Sequence, residues 1–303
     1  MKYFIFFIFF IISIPISTLL HELFHVIVFN IQNISIILIN FCGINIIDNK
    51  IKLGFCGFGG TTIANIKECL KHYGYKITTK KIINNIIATN ILTLMSFLLM
   101  FISFIFIKIF YIKAFFLSIS IVLLFILIGS FCDSGDFSIA KKVRNNKKVF
   151  YSLCCIPEIL LGYDTDFYME VEKELMFINI NNKEDLSLLN YIINYAISVK
   201  ADINLNIIEK IRSLNYSQNI IYKMLLLKLD LYFLLSNKAN VILNYEQECN
   251  DKSKFIRTLF YQNKKLLNKK NLKTEKIVLE PFEKIYSNYK FYRSNQKKLS
   301  SIN

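Results

Sequence analysis

The sequence predicts an α-helical membrane protein with an all-α cytoplasmic domain behind its membrane half, and three observations predict it. Residues 1–150 hold five acids (Glu22, Asp48, Glu68, Asp133, Asp136) against fifteen Lys and Arg, whereas residues 151–303 hold seventeen acids and twenty-two bases. The first half contains three runs long enough to cross a hydrocarbon layer, which takes about 20 helical residues. Beyond about residue 150, amphipathic helical spacing replaces them. With 54% hydrophobic residues gathered in charge-free runs, the chain is neither a single water-soluble globule nor disordered. Lysines clustered at the ends of the apolar runs account for most of the net charge of +15, so no nucleic-acid partner is expected.

The spans fall at about 3–30, 82–107 and 114–134. The first is not a signal peptide, because no small-residue cleavage site follows it and the run passes directly into His21 and Glu22. Pro15 is either a kink or a tolerated membrane proline. Between the first two spans the chain is rich in Ile, with Asn and Gly scattered through it and no sustained helical period. Ile34–Ile39 and Ile51–Phe55, with the Gly57, Gly59, Gly60 cluster, therefore predict a small β region against the membrane. Seven lysines lie between Asp48 and Lys81, five Lys and Arg follow the third span at 141–148, and only Lys108 and Lys113 lie between spans two and three. The excess of Lys and Arg on cytoplasmic sides then puts the N-terminus outside and everything after 136 in the cytoplasm of a multi-pass cell-membrane protein.

Residues 1–148 thus form a membrane domain and residues 149–303 a cytoplasmic helical one. In the latter, Leu188, Leu189, Ile192, Ile193 and Ile197, and again Met224, Leu227, Leu231, Leu234 and Leu235, fit amphipathic helices. A repeat-like array of helix pairs is an option, although no 34-residue period is visible. A protein partner for these helices follows from their position. Seven cysteines show no C-x-x-C pair and no repeated spacing, so neither a zinc ribbon nor a disulfide framework is expected. The abundance of Ile, Asn and Lys points to an AT-rich bacterial genome.

Chemistry is concentrated in His21-Glu22-Leu23-Phe24-His25. On a helix the two imidazoles stand one turn apart on one face and can hold one metal ion, with Glu22 beside them directed at a metal-activated water. Three ionisable residues within five positions of a membrane span are costly unless paired or metal-bound. A catalytic zinc site takes three protein ligands and an open position for water. His72 sits in a Lys-rich stretch where a solvated role is expected, so the third ligand is a carboxylate or a thiolate. Asp48 and Glu68 also lie among lysines. Asp133 and Asp136 close the third span and would share a helix face if the helix ran on that far, one ligating and the other supporting it. Depth agrees, since His21 to His25 lie about 27–33 Å and Asp136 about 33 Å along their helices at 1.5 Å per residue.

The intramembrane H-E-x-x-H, the glycine-rich strand region (Gly54, Gly57, Gly59, Gly60), the asparagines of the second span (Asn85, Asn90) and an aspartate closing the third span resemble the site-2 protease family of intramembrane zinc metalloproteases and its small relatives. The resemblance covers about residues 1–148. It implies a core of three transmembrane helices with a membrane-associated sheet, Zn2+ bound by His21, His25 and an aspartate of the last core helix, and Glu22 as general base. In many members glycine follows that aspartate; here Gly135 precedes Asp136 and Ser134 follows Asp133. The Gly-Asp before an apolar and basic run favours Asp136, with Asp133 as the alternative. Asn90 matches the asparagine that stabilises the tetrahedral intermediate, or else it is a helix-packing hydrogen bonder. The function implied is hydrolysis of a peptide bond in or next to a transmembrane segment of a membrane protein or membrane-bound peptide, the substrate unwound by adding as a strand to Ile34–Ile39 or Ile51–Phe55. The competing readings are a catalytically inert membrane scaffold or maturation partner, which an intact Glu22 argues against, and a small transporter, for which three spans are few.

Overall fold

The structure is a computed structural model and describes residues 2–47, 50–53, 59–133, 135–175, 179, 182–216, 219–236, 242–245, 249 and 251–268. Asp48, Gly54, Gly57 and Ser134 lie outside the described residues. The chain divides into two compact units, Met1–Phe150 and Tyr151–Asn303.

In the first unit, α1 (Lys2–Ile31), α2 (Ile66–Phe106) and α3 (Phe110–Gly129) are long and apolar enough to cross a membrane, and each packs against the other two. The bundle is apolar outside and polar within. Phe7, Leu99, Phe106 and Phe125 are exposed, while Ser13, Ser17, Thr18, Thr89, Thr93, Ser118 and Ser120 are buried. Within a hydrocarbon layer, association of such helices relies on small residues that let backbones approach and on polar groups that bond across. Several of the small hydroxyls bond back to their own helix, as Ser13 does to the carbonyl of Phe9 (2.7 Å) and Ser118 to that of Ala114 (2.9 Å), while that of Ser17 is buried without a partner. Helix α1 runs through Pro15 without ending.

Two span boundaries differ from the sequence expectation. Helix α2 starts at Ile66 rather than near Ile82, because the lysines of 67–81 face outward while Ile66, Cys69, Thr78 and Thr79 turn inward. Gly74 interrupts it at φ 72°, a left-handed conformation open to glycine. Helix α3 stops at Gly129, so Asp133 and Asp136 do not share the face of one continuous helix. A turn follows, closed by bonds from the Gly135 amide to the Cys132 carbonyl (2.8 Å) and from the Phe137 amide to the Ser130 carbonyl (3.0 Å). Helix α4 (Asp136–Asn145) then begins with Asp136, its acid in the positive first turn and Lys142 and Arg144 in the last. Gly135 is needed for this reversal by close approach, since a Cβ there would stand 2.2 Å from the Gly129 carbonyl oxygen and 2.6 Å from the carbonyl carbon and oxygen of Ser130.

Between α1 and α2 lies an antiparallel sheet of β1 (Ile36–Phe41), β2 (Ile44–Ile47), β3 (Lys50–Leu53) and β4 (Gly60–Ala64), in the order β3-β2-β1-β4. Cys42 and Gly43, both at positive φ, make the two-residue turn from β1 to β2. Strand β1 has neighbours on both sides, so the expectation that Ile34–Ile39 could accept an added strand is wrong: the edges, among the described residues, are β3 and β4. Strand β4 was not anticipated, because its β-branched Thr61, Thr62 and Ile63 were masked by the glycines before them.

Among its described residues the second unit has helices and connecting loops but no strand. It comprises α6 (Thr165–Glu174), α7 (Lys183–Val199), α8 (Leu205–Arg212), α9 (Ile220–Leu235) and α10 (Lys254–Leu267), entered through α5 (Lys147–Leu161). The apolar stripe of α7 is buried as its spacing implies, at Leu188, Leu189, Ile192, Ile193 and Ile197. Helix α9 packs against α7, α8 and α10 and buries two charges. The Lys228 ammonium donates to the side-chain carbonyls of Asn190 (2.6 Å) and Asn194 (3.0 Å), and the Asp230 carboxylate accepts from the Ile242 and Leu243 amides and the Tyr245 hydroxyl. Partnered in this way, both charges are tolerable inside a core.

Gly135→Ala is expected to cost about 2 kcal/mol, because its Cβ meets unyielding backbone. Gly129→Ala, with nothing within 4 Å of its Cβ, is the control and should leave thermal unfolding of the detergent-purified protein unchanged.

Candidate metal centre

Helix α1 presents His21 and His25 one turn apart, their ring centroids 5.0 Å from each other and nearly perpendicular. Both rings are buried, at 7% and 8% exposure, against α2. Asp136 enters from the first turn of α4, and its Oδ2 lies 3.3 Å from Nε2 of His21 and 3.3 Å from Nε2 of His25. Among the described residues, His21, His25 and Asp136 form a group that could hold a metal ion, their ligand atoms all within 4.8 Å of one another.

Contacts with α2 determine which ring nitrogen carries hydrogen. The Thr93 hydroxyl gives its hydrogen to the Thr89 carbonyl (2.9 Å), so towards Nδ1 of His21, 2.9 Å away, it can only accept. The Asn85 amide nitrogen donates to the His25 backbone carbonyl (2.9 Å), which turns its oxygen to Nδ1 of His25 at 2.6 Å. Both Nδ1 atoms are therefore donors, and both Nε2 atoms direct lone pairs at the Asp136 carboxylate. Three acceptors facing one another are repulsive unless a cation joins them, either a metal ion or protons on both rings. Their spacing fits a metal, since ligands about 2.0–2.1 Å from a tetrahedral zinc stand about 3.3–3.4 Å apart.

Asn90 supports the aspartate. Its amide nitrogen donates to Asp136 Oδ2 (3.2 Å) and to the Ile86 carbonyl (2.9 Å), which uses both hydrogens and leaves none for a developing oxyanion in this state. Its Oδ1 is buried without a hydrogen-bond partner, an acceptor facing a site that lacks its donor. Asp133 is exposed, and its backbone carbonyl accepts from Ser138 and Lys142. His72 is exposed beside Tyr73, away from the centre. Sequence reasoning missed Thr93 and also Thr89, whose hydroxyl oxygen lies 3.2 Å from Nδ1 of His25, as supports of the imidazoles. With Asn85, at intervals of four, they make a polar stripe on an apolar helix that could have been read as facing the histidines.

Glu22, 4% exposed, lies beside the histidines and accepts a hydrogen bond from the Thr62 hydroxyl on β4 (2.6 Å). A cavity of about 520 Å³ reaches these groups, lined by His21, Glu22, Asp136, Gly60 and apolar residues of α1 and α3. An ion held by these three residues would have one side open to this cavity.

Comparison of the chain with family models, with curated proteins and with solved structures finds no match.

Replacing Asn85 by Ala or Thr93 by Val is expected to lower metal affinity by about 10- to 100-fold. Competition titration against a chelator measures it, and Thr93→Ser, which keeps the oxygen, should stay near wild type.

Proposed function

We propose that this chain is a zinc endopeptidase of the site-2 protease type that cleaves a peptide bond in or next to a transmembrane segment of a membrane protein or a membrane-bound peptide. One observation carries the reading: two imidazole lone pairs and a carboxylate converge at metal-ligand spacing within an apolar three-helix bundle, with a second carboxylate beside them at an open cavity. A zinc ion held by His21, His25 and Asp136 would acidify a water molecule and polarise the scissile carbonyl. Glu22 takes the proton from the attacking water and returns it to the leaving amine. Asn90 holds Asp136 in place, a role its two donated bonds favour over oxyanion stabilisation.

A helical substrate must be unwound before its carbonyl can be attacked. Strand β4, an edge of the sheet and in hydrogen-bonding contact with Glu22, is the place for an extended segment to add, and Thr61 on it and Gly59 just before it are exposed. In our reading the N-terminus lies outside the bilayer and the second unit is cytoplasmic, where its helices bind a protein partner.

Metal analysis of the detergent-purified protein tests the centre. The expected result is about one zinc per chain, lost in His25→Ala and Asp136→Ala and kept in Asp133→Ala. Glu22→Gln should keep the zinc and lose cleavage of a transmembrane-helix peptide in proteoliposomes. A wild type that binds no zinc when zinc is offered would turn the reading towards an inert scaffold.

A further inference from the structure

We infer that strand β4 belongs to the catalytic apparatus, with Thr62 as the positioning residue for the Glu22 carboxylate and Gly60 as the position whose missing side chain makes room for it. This rests on the reading of Glu22 as general base. Among the described residues, Thr62 is the one hydrogen-bond donor to the Glu22 side chain. Its Oγ1 lies 2.6 Å from Oε2 and 3.4 Å from the Glu22 backbone carbonyl, so the single hydroxyl hydrogen belongs to the carboxylate.

The other oxygen is placed by a shape constraint. A Cβ at Gly60 would stand 2.2 Å from Oε1 and 2.7 Å from Cδ and Cγ of Glu22. Residues 60 and 62 share one face of β4. Two positions on that face therefore secure the carboxylate, one by donating to Oε2 and one by leaving space for Oε1. With Oε2 engaged, Oε1 is the oxygen left to accept a proton. Gly60 and Glu22 line the same cavity as His21 and Asp136.

The grip matters because a glutamate on a helix has three side-chain torsions and works as a base only while it is held within reach of its water. Pairing of Thr62 with Ile39 and of Gly60 with Phe41 fixes β4 against β1, so the sheet register sets where the base stands. Neither residue touches the three metal ligands in any hydrogen bond found, so the two should act on Glu22 without altering metal binding.

The test uses the full-length protein in detergent, loaded with cobalt(II), whose visible absorption reports changes in ligation. Acetohydroxamate is the probe, because it chelates the ion while offering N–H and O–H groups to a neighbouring carboxylate. Glu22→Gln sets the level at which that carboxylate is lost. Thr62→Val and Gly60→Ala should each bind acetohydroxamate about tenfold more weakly than wild type, the loss expected for a hydrogen bond to a charged group. Thr62→Ser should restore binding, with one cobalt per chain throughout. Wild-type affinity in both Thr62→Val and Gly60→Ala, with Glu22→Gln weakened, would overturn the assignment and leave Glu22 standing as the base. Loss of cobalt in Thr62→Val would also overturn it, making Thr62 a support of the fold. A wild type without cobalt, or one matched by Glu22→Gln, would overturn the reading of Glu22 itself and this inference with it.

Discussion

Two imidazole nitrogens and one carboxylate oxygen, all electron-pair donors, are held against one another inside an apolar bundle. The apolar helices around them supply no counter-charge, and a charge left unpaired among apolar side chains is costly. Much of the first unit serves to keep the three atoms converged. The ring orientations depend on acceptors supplied by α2, and the carboxylate depends on Asn90 and on the turn that starts α4. A cation bound at the centre would turn mutual repulsion into a cross-link, tying α1 to α4 while α2 supports both.

Helix α2 therefore has two tasks that pull its composition in different directions. Outward it must satisfy lipid, with Ile87, Ile91, Leu94 and Leu98 exposed; inward it carries Asn85, Thr89, Asn90 and Thr93, all buried. Threonine suits the second task at little cost. Its hydroxyl can bond back to the helix, as Thr93 does to Thr89, so an oxygen can be offered to a histidine without an unpaired hydrogen in a dry environment. Serine would do the same with less packing, and valine would fill the space and lose the acceptor.

How far the sequence revealed this depended on whether a feature was periodic or relational. The H-E-x-x-H pair was legible because one helical turn fixes its geometry without reference to anything else. The three apolar helices were legible because length and lack of charge suffice. Where α3 ended was not legible: nothing in Phe131-Cys132-Asp133 forbids a helix, and the reversal is imposed by Gly135 closing on the carbonyls of Gly129 and Ser130, a contact between chain segments. The same holds for Thr62, an ordinary strand residue until β4 is paired to β1 and laid against α1. The third ligand fell between these cases, since acids are so few in the first half that the choice narrowed to two and only the turn separated them.

The long interval between residues 25 and 136 has a consequence for how the protein is made. A chain still emerging from the ribosome possesses both histidines and the glutamate early, then the supports on α2, and only at the end of the third span the aspartate. Until the Gly135 turn has formed, an ion at this place would have two histidine ligands and would lack the Asp136 carboxylate. In this reading the centre is complete only once α4 begins, and a chain truncated before it carries the motif without its third candidate ligand.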